Sequence, residues 1–389
     1  MSTHWSLPFF EAHHRQLAID LDAWLQQQDV DEHDDRAACK EWVRRLGEAG
    51  WLRYCVPAAL GGALAQLDSR ALVVMRETLS RYSPLADFAF AMQGLGSGAI
   101  TLAGSPAQQQ RYLPAVAAGQ MIAAFALSEP QAGSDVAGMQ TQATPQPQGF
   151  VLNGEKTWIS NGGLAHFYVV FAKTDASAGA RGISAFIVDA PHAGLNDSHH
   201  LQVMSPHPLA SLRFEQCVLN ADALLGELNG GFKLAMRTLD IFRASVAAAA
   251  LGMARRALQE AVHHAKERRM FGQTLADFQL TQARLGDMAA LMDAAALLTY
   301  RAAWLRDTHG SDGAHAAAYT QAAAMAKLSA TENASKVIDM ALQMHGGTGV
   351  LVGHKLESLY RDIRSLRIYE GASEVQQLII GKSVLKGVS

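Results

Sequence analysis

The sequence predicts an α+β protein, mostly α, laid out in the order helical, β, helical. Three observations carry this. Apolar residues recur at helical spacing through roughly the first 120 positions, short β-branched runs broken by Gly, Pro, Asn and Asp follow, and long Ala- and Leu-rich stretches fill the remainder. The boundaries expected are a helical domain over 1–120, a β domain over 121–225 and a helical bundle over 226–389.

Phe10, Leu17, Leu21, Trp24 and Leu25 form one helical stripe, and Trp42, Val43 and Leu46 form another before Gly50. Ser83-Pro84 and Ser105-Pro106 each place a capping hydroxyl before a proline, so a helix is expected to start at each. After Ser128 the runs 167–172, 183–188 and 212–219 read as strands. Asn153-Gly154 predicts a type I′ hairpin turn, because both residues tolerate positive φ, and 140–148, rich in Gln, Thr and Pro, reads as a loop. Beyond Gly230 breakers are few until Phe271-Gly272, and 277–308 and 314–345 follow as long helices, with Ala allowing close packing.

With 389 residues, 49% hydrophobic and 18% charged, the chain can bury a large core. A net charge of −3 without a Lys/Arg run argues against nucleic-acid binding. Cys39, Cys55 and Cys217 form no CxxC pair, so neither a disulfide framework nor a zinc site is indicated. The N-terminal residues show no targeting pattern and no apolar run is long enough to span a bilayer, so a cytoplasmic protein without membrane insertion is expected.

Several signals are weighed and set aside. Gly94-Leu95-Gly96-Ser97-Gly98 continues a helix and lacks a surrounding βαβ unit, which argues against a dinucleotide fingerprint. The pairs His13-His14, His199-His200 and His263-His264 lack metal-site spacing, so no metal is implied. The acidic cluster 31–35 reads as a solvated helix start, and no GxSxG motif occurs.

Chemistry concentrates elsewhere. Glu370 stands immediately before Gly371-Ala372-Ser373 at the entrance of an apolar helix, where a carboxylate serves either as a base facing a cleft or as a solvated glutamate favoured by the helix dipole. Pro130 and Gly133 make a turn poor in side chains, whose N–H groups, with Ser128 and Ser134, suit either hydrogen bonding to a planar heterocycle and its phosphates or an ordinary turn. Asp240 and Arg243 share a helix face, as a surface ion pair or as an anion contact.

The segments 125–135, 154–161, 267–272, 343–349 and 367–376, in this order, resemble the acyl-CoA dehydrogenase family of flavoenzymes, and the resemblance runs from about residue 8 to 385. It implies an N-terminal helical domain, a middle β-barrel and a C-terminal four-helix bundle. It also implies FAD, an acyl-CoA substrate, an electron-transfer flavoprotein as acceptor, and a homotetramer built as a dimer of dimers. Glu370 then takes the pro-R α-hydrogen as a proton while the β-hydrogen leaves as hydride to the flavin, giving a trans-2-enoyl-CoA.

By the same resemblance Phe125, Leu127, Ser128, Gly133, Ser134, Trp158, Ile159 and Ser160 line the flavin. Arg268, Phe271, Phe278, Gln279, Gln343, Met344, Gly346 and Gly347 meet the cofactor of a neighbouring subunit, and Ala372 and Glu374 belong to the same cofactor site. Ser134, Asp240, Arg243, Gly371 and Gln93 face the substrate. Two departures stand out. Ala372 replaces a common Thr and removes one hydroxyl from the cofactor, while Ser128 replaces a Thr and keeps it. The rival functions are an oxygen-using acyl-CoA oxidase, whose relatives usually carry an extra C-terminal helical domain that 389 residues would not hold, and a catalytically silent flavin-binding assembly protein, which Glu370 argues against.

Overall fold

Asp34 is the N-cap that starts one of the early helices, its carboxylate accepting the Arg36 and Ala37 N–H groups at 3.0 Å each. The structure, a computed structural model, describes residues 3–310 and 313–387. Its first helices are α1 (Ala12–Leu25), α2 (Asp35–Glu48), α3 (Ser69–Tyr82), α4 (Pro84–Ala103) and α5 (Pro106–Ala117). The two Ser-Pro starts fall where the sequence predicts. Ser83 Oγ accepts the Ala86 N–H at 2.9 Å, and Ser105 closes a reciprocal capping box with Gln108. The glycines of 94–98 lie inside α4, as the helix reading requires.

The β-rich middle comprises β1 (Ala123–Ala126), β2 (Gln142–Gln146), β3 (Gly149–Ser160), β4 (Phe167–Lys173), β5 (Ile183–Asp189), β6 (Leu195–Leu201), β7 (Leu209–Asn220) and β8 (Leu224–Leu225). The strand path is β6-β7-β3-β2-β4-β5-β8, with β1 parallel on β4. Then come α6 (Gly231–Glu267), the short strands β9 (Arg269–Met270) and β10 (Gln273–Thr274), α7 (Gln279–His309), α8 (Ala316–His345), α9 (Lys355–Leu366) and α10 (Ser373–Leu385). No helix among the described residues is long and apolar enough to cross a membrane.

Two expectations are corrected. Asn153-Gly154 is not a hairpin turn: it lies inside β3, at a register shift against β7. Only Gly154 has a positive φ, of 141°, and the Asn153 side chain accepts the Gln216 N–H at 2.7 Å across the sheet, so the pair makes a bulge. The 140–148 stretch is not all loop, since Gln142–Gln146 forms β2, antiparallel to β3, and the turn falls at Pro147-Gln148. Pro145 is tolerated because β4 pairs with β2 only at Gln142, leaving an open edge where a missing N–H costs nothing.

The chain packs as two units. The first is Met1–Asp29, Ser69–Asp87 and Asp240–Ser389; the second is Val30–Asp68 and Phe88–Leu239. In the second, Phe167, Val169 and Phe171 of β4 and Ile183 and Ile187 of β5 are buried with Ile100, Leu113 and Val116. In the first, the buried face of α8 carries mostly small residues beyond Tyr319, with Ala323, Ala326, Ala330, Ala334, Val337 and Ala341 at helical spacing, so neighbouring helices can approach closely. Lys327 falls on that same buried face.

Candidate active site

After α9 ends, the Ile368 and Tyr369 N–H groups fold back on the Ser365 carbonyl at 2.9 and 3.1 Å. The next two residues turn left-handed, Glu370 at φ 51° and Gly371 at φ 89°. Glycine is favoured at 371 because L side chains rarely adopt φ 89°. Ala372 is the N-cap of α10 and supplies no side-chain bond. The loop is instead fastened from outside. Arg367 and Ser373 both donate to Glu332 on α8, at 2.8 and 2.6 Å, and the Gly371 carbonyl accepts from Lys327 Nζ at 2.7 Å and from Gln376 Nε2 at 2.9 Å.

Of the two readings of Glu370, the solvated first-turn glutamate fails. The residue precedes the helix, and its Oε2 is buried with no hydrogen-bond partner. Burial pushes the carboxyl pKa up, while the charges of Arg76, Lys327 and Arg243 pull it down and Asp87 adds to the rise. Arg76 and Asp87 form a buried two-pronged ion pair at 2.8 Å per contact, and Arg76 also donates to Ser245 at 3.0 Å. Arg243 pairs with Asp240, but not on the surface: it is 7% exposed and its Nε is buried without a partner. Burial raises the Asp240 pKa against the pull of Arg243.

In the second unit a different set of residues gathers. The Ser128 carbonyl accepts the Thr157 N–H at 3.0 Å, which sets the 128–135 turn beside Trp158. Trp158 lies in a register shift between β3 and β7, takes φ 59° and is 59% exposed, so the bulge turns an indole outward. Within the turn the Glu129 and Ala132 N–H groups bond each other's carbonyls at 3.1 Å, whereas those of Gly133 and Ser134 meet no acceptor among the described residues. Leu127 and Ile159 are buried, Phe125 packs on Phe171 at 4.9 Å between ring centres, and Ser160 is half-buried. An outward indole beside unmet backbone donors fits a planar heterocycle with polar edges.

Gln93 does not present a free amide. It donates to the Met121 carbonyl at 2.7 Å and accepts the Ala123 N–H at 2.8 Å, fastening α4 to the start of β1. His207, just before β7, is a core residue stacked on Phe88 at 4.6 Å, with a pKa pushed down by burial to about 4.

Arg268, Phe271, Gln279, Gln343, Gly346, Gly347 and Glu374 are exposed in the first unit; Met344 and Phe278 are half-buried. Arg268 makes no ion pair among the described residues, and Phe271 is 85% exposed at φ 49°. An unpaired guanidinium beside exposed, side-chain-poor backbone suits a diphosphate.

Three features were missed at the sequence level: the Arg76–Asp87 pair, Lys327, and a buried Lys156–Glu129 pair at 2.8 Å under the 128–135 turn. For Lys327 a signal existed, since a lysine at an apolar-face position of an Ala-rich helix demands a partner.

Comparison with known proteins gives matches along the length of the chain. The descriptions "Acyl-CoA dehydrogenase, N-terminal domain", "middle domain" and "C-terminal domain" match residues 12–120, 124–217 and 229–385. The 3-(aryl)acrylate reductase of Clostridium sporogenes is 38% identical over 385 residues, covering 97% of this chain and all of that one. A caffeyl-CoA reductase-Etf complex subunit of Acetobacterium woodii is 38% identical over 350 residues, covering 89% and 90%. The solved structure of butyryl-CoA dehydrogenase from Megasphaera elsdenii superposes with a TM-score of 0.90 at 32% identity, covering 97% and 99%. With three consecutive domain matches and a relative 38% identical over 97% of its length, the chain belongs to the acyl-CoA dehydrogenase family of FAD-dependent oxidoreductases.

Proposed function

We propose that the protein catalyses α,β-dehydrogenation of an acyl-CoA thioester to a trans-2-enoyl-CoA, with Glu370 as the base and an electron-transfer flavoprotein as the acceptor. The observation that carries this is the buried, unpartnered Oε2 of Glu370 among Arg76, Lys327 and Arg243. The α-proton of a thioester is weakly acidic, so its removal needs a desolvated carboxylate held ionised and a donor for the developing enolate oxygen. Arg76, Lys327 and Arg243 work toward the first requirement, pulling the Glu370 carboxyl toward its ionised form against the rise that burial causes. The Glu370 N–H, which meets no acceptor among the described residues, is available for the second.

When bound, FAD supplies the acceptor for the β-hydrogen. Phe125, Ser128, Gly133, Ser134, Trp158 and Ser160, with backbone at Leu127 and Ile159, are the residues proposed to orient its ring. Arg268, Phe271, Phe278, Gln279, Gln343, Met344, Gly346 and Gly347 are proposed to meet the cofactor of a second copy in a homotetramer. Asp240, Arg243, Gly371 and Ser134 are proposed to receive the substrate. The acceptor assignment draws support from the relative named as part of an Etf complex.

A second reading runs the same chemistry backwards, reducing a 2-enoyl thioester, and two relatives named as reductases favour weighing it. A carboxyl whose pKa is raised by burial can serve in that direction as the proton donor.

The test is anaerobic single-turnover reduction of the bound flavin across short, branched, cyclic, dicarboxylic and aryl acyl-CoA thioesters, with reoxidation of the reduced enzyme by the matching enoyl-CoA. Glu370→Gln is expected to lower reduction by at least about 10²- to 10⁴-fold while keeping the flavin. A variant retaining more than about a tenth of the wild-type rate would place the base elsewhere.

A further inference from the structure

Lys327 is fully buried on α8, at 0% exposure, among alanines. A buried ammonium has three N–H donors to satisfy, and its one hydrogen bond among the described residues goes to the Gly371 carbonyl at 2.7 Å. That carbonyl belongs to the residue following Glu370, in a loop where both residues are left-handed. Glu370, for its part, keeps a buried carboxylate oxygen with no partner. A cation short of acceptors thus meets the loop of an acid short of donors at the Gly371 carbonyl, which it shares with Gln376 Nε2.

We propose that Lys327 is a positioning residue for the Glu370 base: its ammonium ties down the Gly371 carbonyl, fixing the left-handed turn that aims the carboxylate, and its charge favours the ionised form of that carboxylate. This rests on the reading of Glu370 as the base. The arrangement is more than packing, because an alanine-lined position would be filled more cheaply by an apolar residue than by a lysine. Burial brings the Lys327 pKa down to about 8, so the side chain remains largely charged near neutrality.

The charged and titratable groups around Glu370 are Arg76 on α3, Asp87 on α4, Arg243 on α6, Lys327 on α8 and the adjoining Tyr369; Glu332 and Glu374 also act on Lys327. Arg76 is paired with Asp87 and Arg243 with Asp240, each cation facing its own carboxylate. Lys327 has no carboxylate within ion-pair distance among the described residues, so its charge is the least compensated of the three.

The experiment uses the FAD-loaded protein and its Lys327→Met and Lys327→Gln variants; glutamine keeps a donor for Gly371 but loses the charge. The Glu370 carboxyl is titrated by ¹³C NMR, assigned by its disappearance in Glu370→Gln, and the pH profile of flavin reduction is recorded in parallel. Both variants are expected to raise the Glu370 titration midpoint, and with it the acid limb of the rate profile, by about one unit or more. Lys327→Met should lose at least about tenfold in rate at pH 7, and Lys327→Gln less. A Glu370 midpoint unmoved in a folded variant overturns the proposal, and so does failure of both variants to fold, which would make Lys327 a core residue only. Should the wild type reduce no flavin with any thioester, the dehydrogenase reading fails separately, since the NMR midpoint is read without substrate.

Discussion

Two buried lysines in different units have the same pKa direction for the same cause, and they are held in opposite ways. Burial takes both down to about 8. Lys156, in the second unit, donates to the Glu129 carboxylate at 2.8 Å and to the Leu127 carbonyl at 3.0 Å, and Glu129 also accepts the Gln140 and Thr141 N–H groups at 2.6 and 3.0 Å. Lys327, in the first unit, reaches only a carbonyl, beside a carboxylate that it does not touch. A closed pair of charges acts as a fastener, fixing the turn from Ser128 to Asp135. An open one leaves a field acting on Glu370.

The largest break in this comparison is Lys156→Met. It strands the Glu129 carboxylate among backbone donors in a buried site, and losing one partner of such a pair is expected to destabilise the fold by about 3–5 kcal/mol, with loss of bound flavin. Thermal unfolding with flavin release as the readout checks this, and a stable, flavin-replete variant would show that the turn does not depend on the pair. Arg243→Ala sharpens the other side. Its expected cost is about 1.5–3 kcal/mol in acyl-CoA affinity, read from the shift of the flavin spectrum on titration, with flavin content unchanged. Unaltered affinity would confine Arg243 to its pair with Asp240.

The smallest effect concerns the α10 start. Ala372→Thr adds a cap oxygen where none exists and is expected to raise stability by about 1 kcal/mol, measured by denaturant midpoint, and to slow flavin loss. A neutral result would mean that Arg367, Ser373 and Glu332 already fix the helix entrance.

What was legible in the sequence was local. The Ser105 capping box and the Pro84 start need only neighbours in the chain, and both stand where expected. Glu370 was legible as a candidate base, but its burial was not, because the groups that surround it come from α3, α4, α6 and α8. Asn153-Gly154 misled for a related reason. Its turn chemistry is real, yet pairing with β7 across the bulge outweighs the local preference, and the turn moves to Pro147-Gln148. Gln93 looked available because nothing in the sequence shows that Met121 and Ala123 will occupy its amide.

The left-handed backbone at Glu370 carries a consequence for anyone redesigning this chain. A glutamate at φ 51° holds a conformation that glycine or asparagine adopts with less strain, and such positions cost on the order of 1–3 kcal/mol. A selection for heat resistance or expression alone would therefore favour Glu370→Gly or Glu370→Asn, and would remove the proposed base while improving the score. Libraries built to toughen this protein should hold position 370 fixed, or the sturdiest survivors will be those that have lost their chemistry.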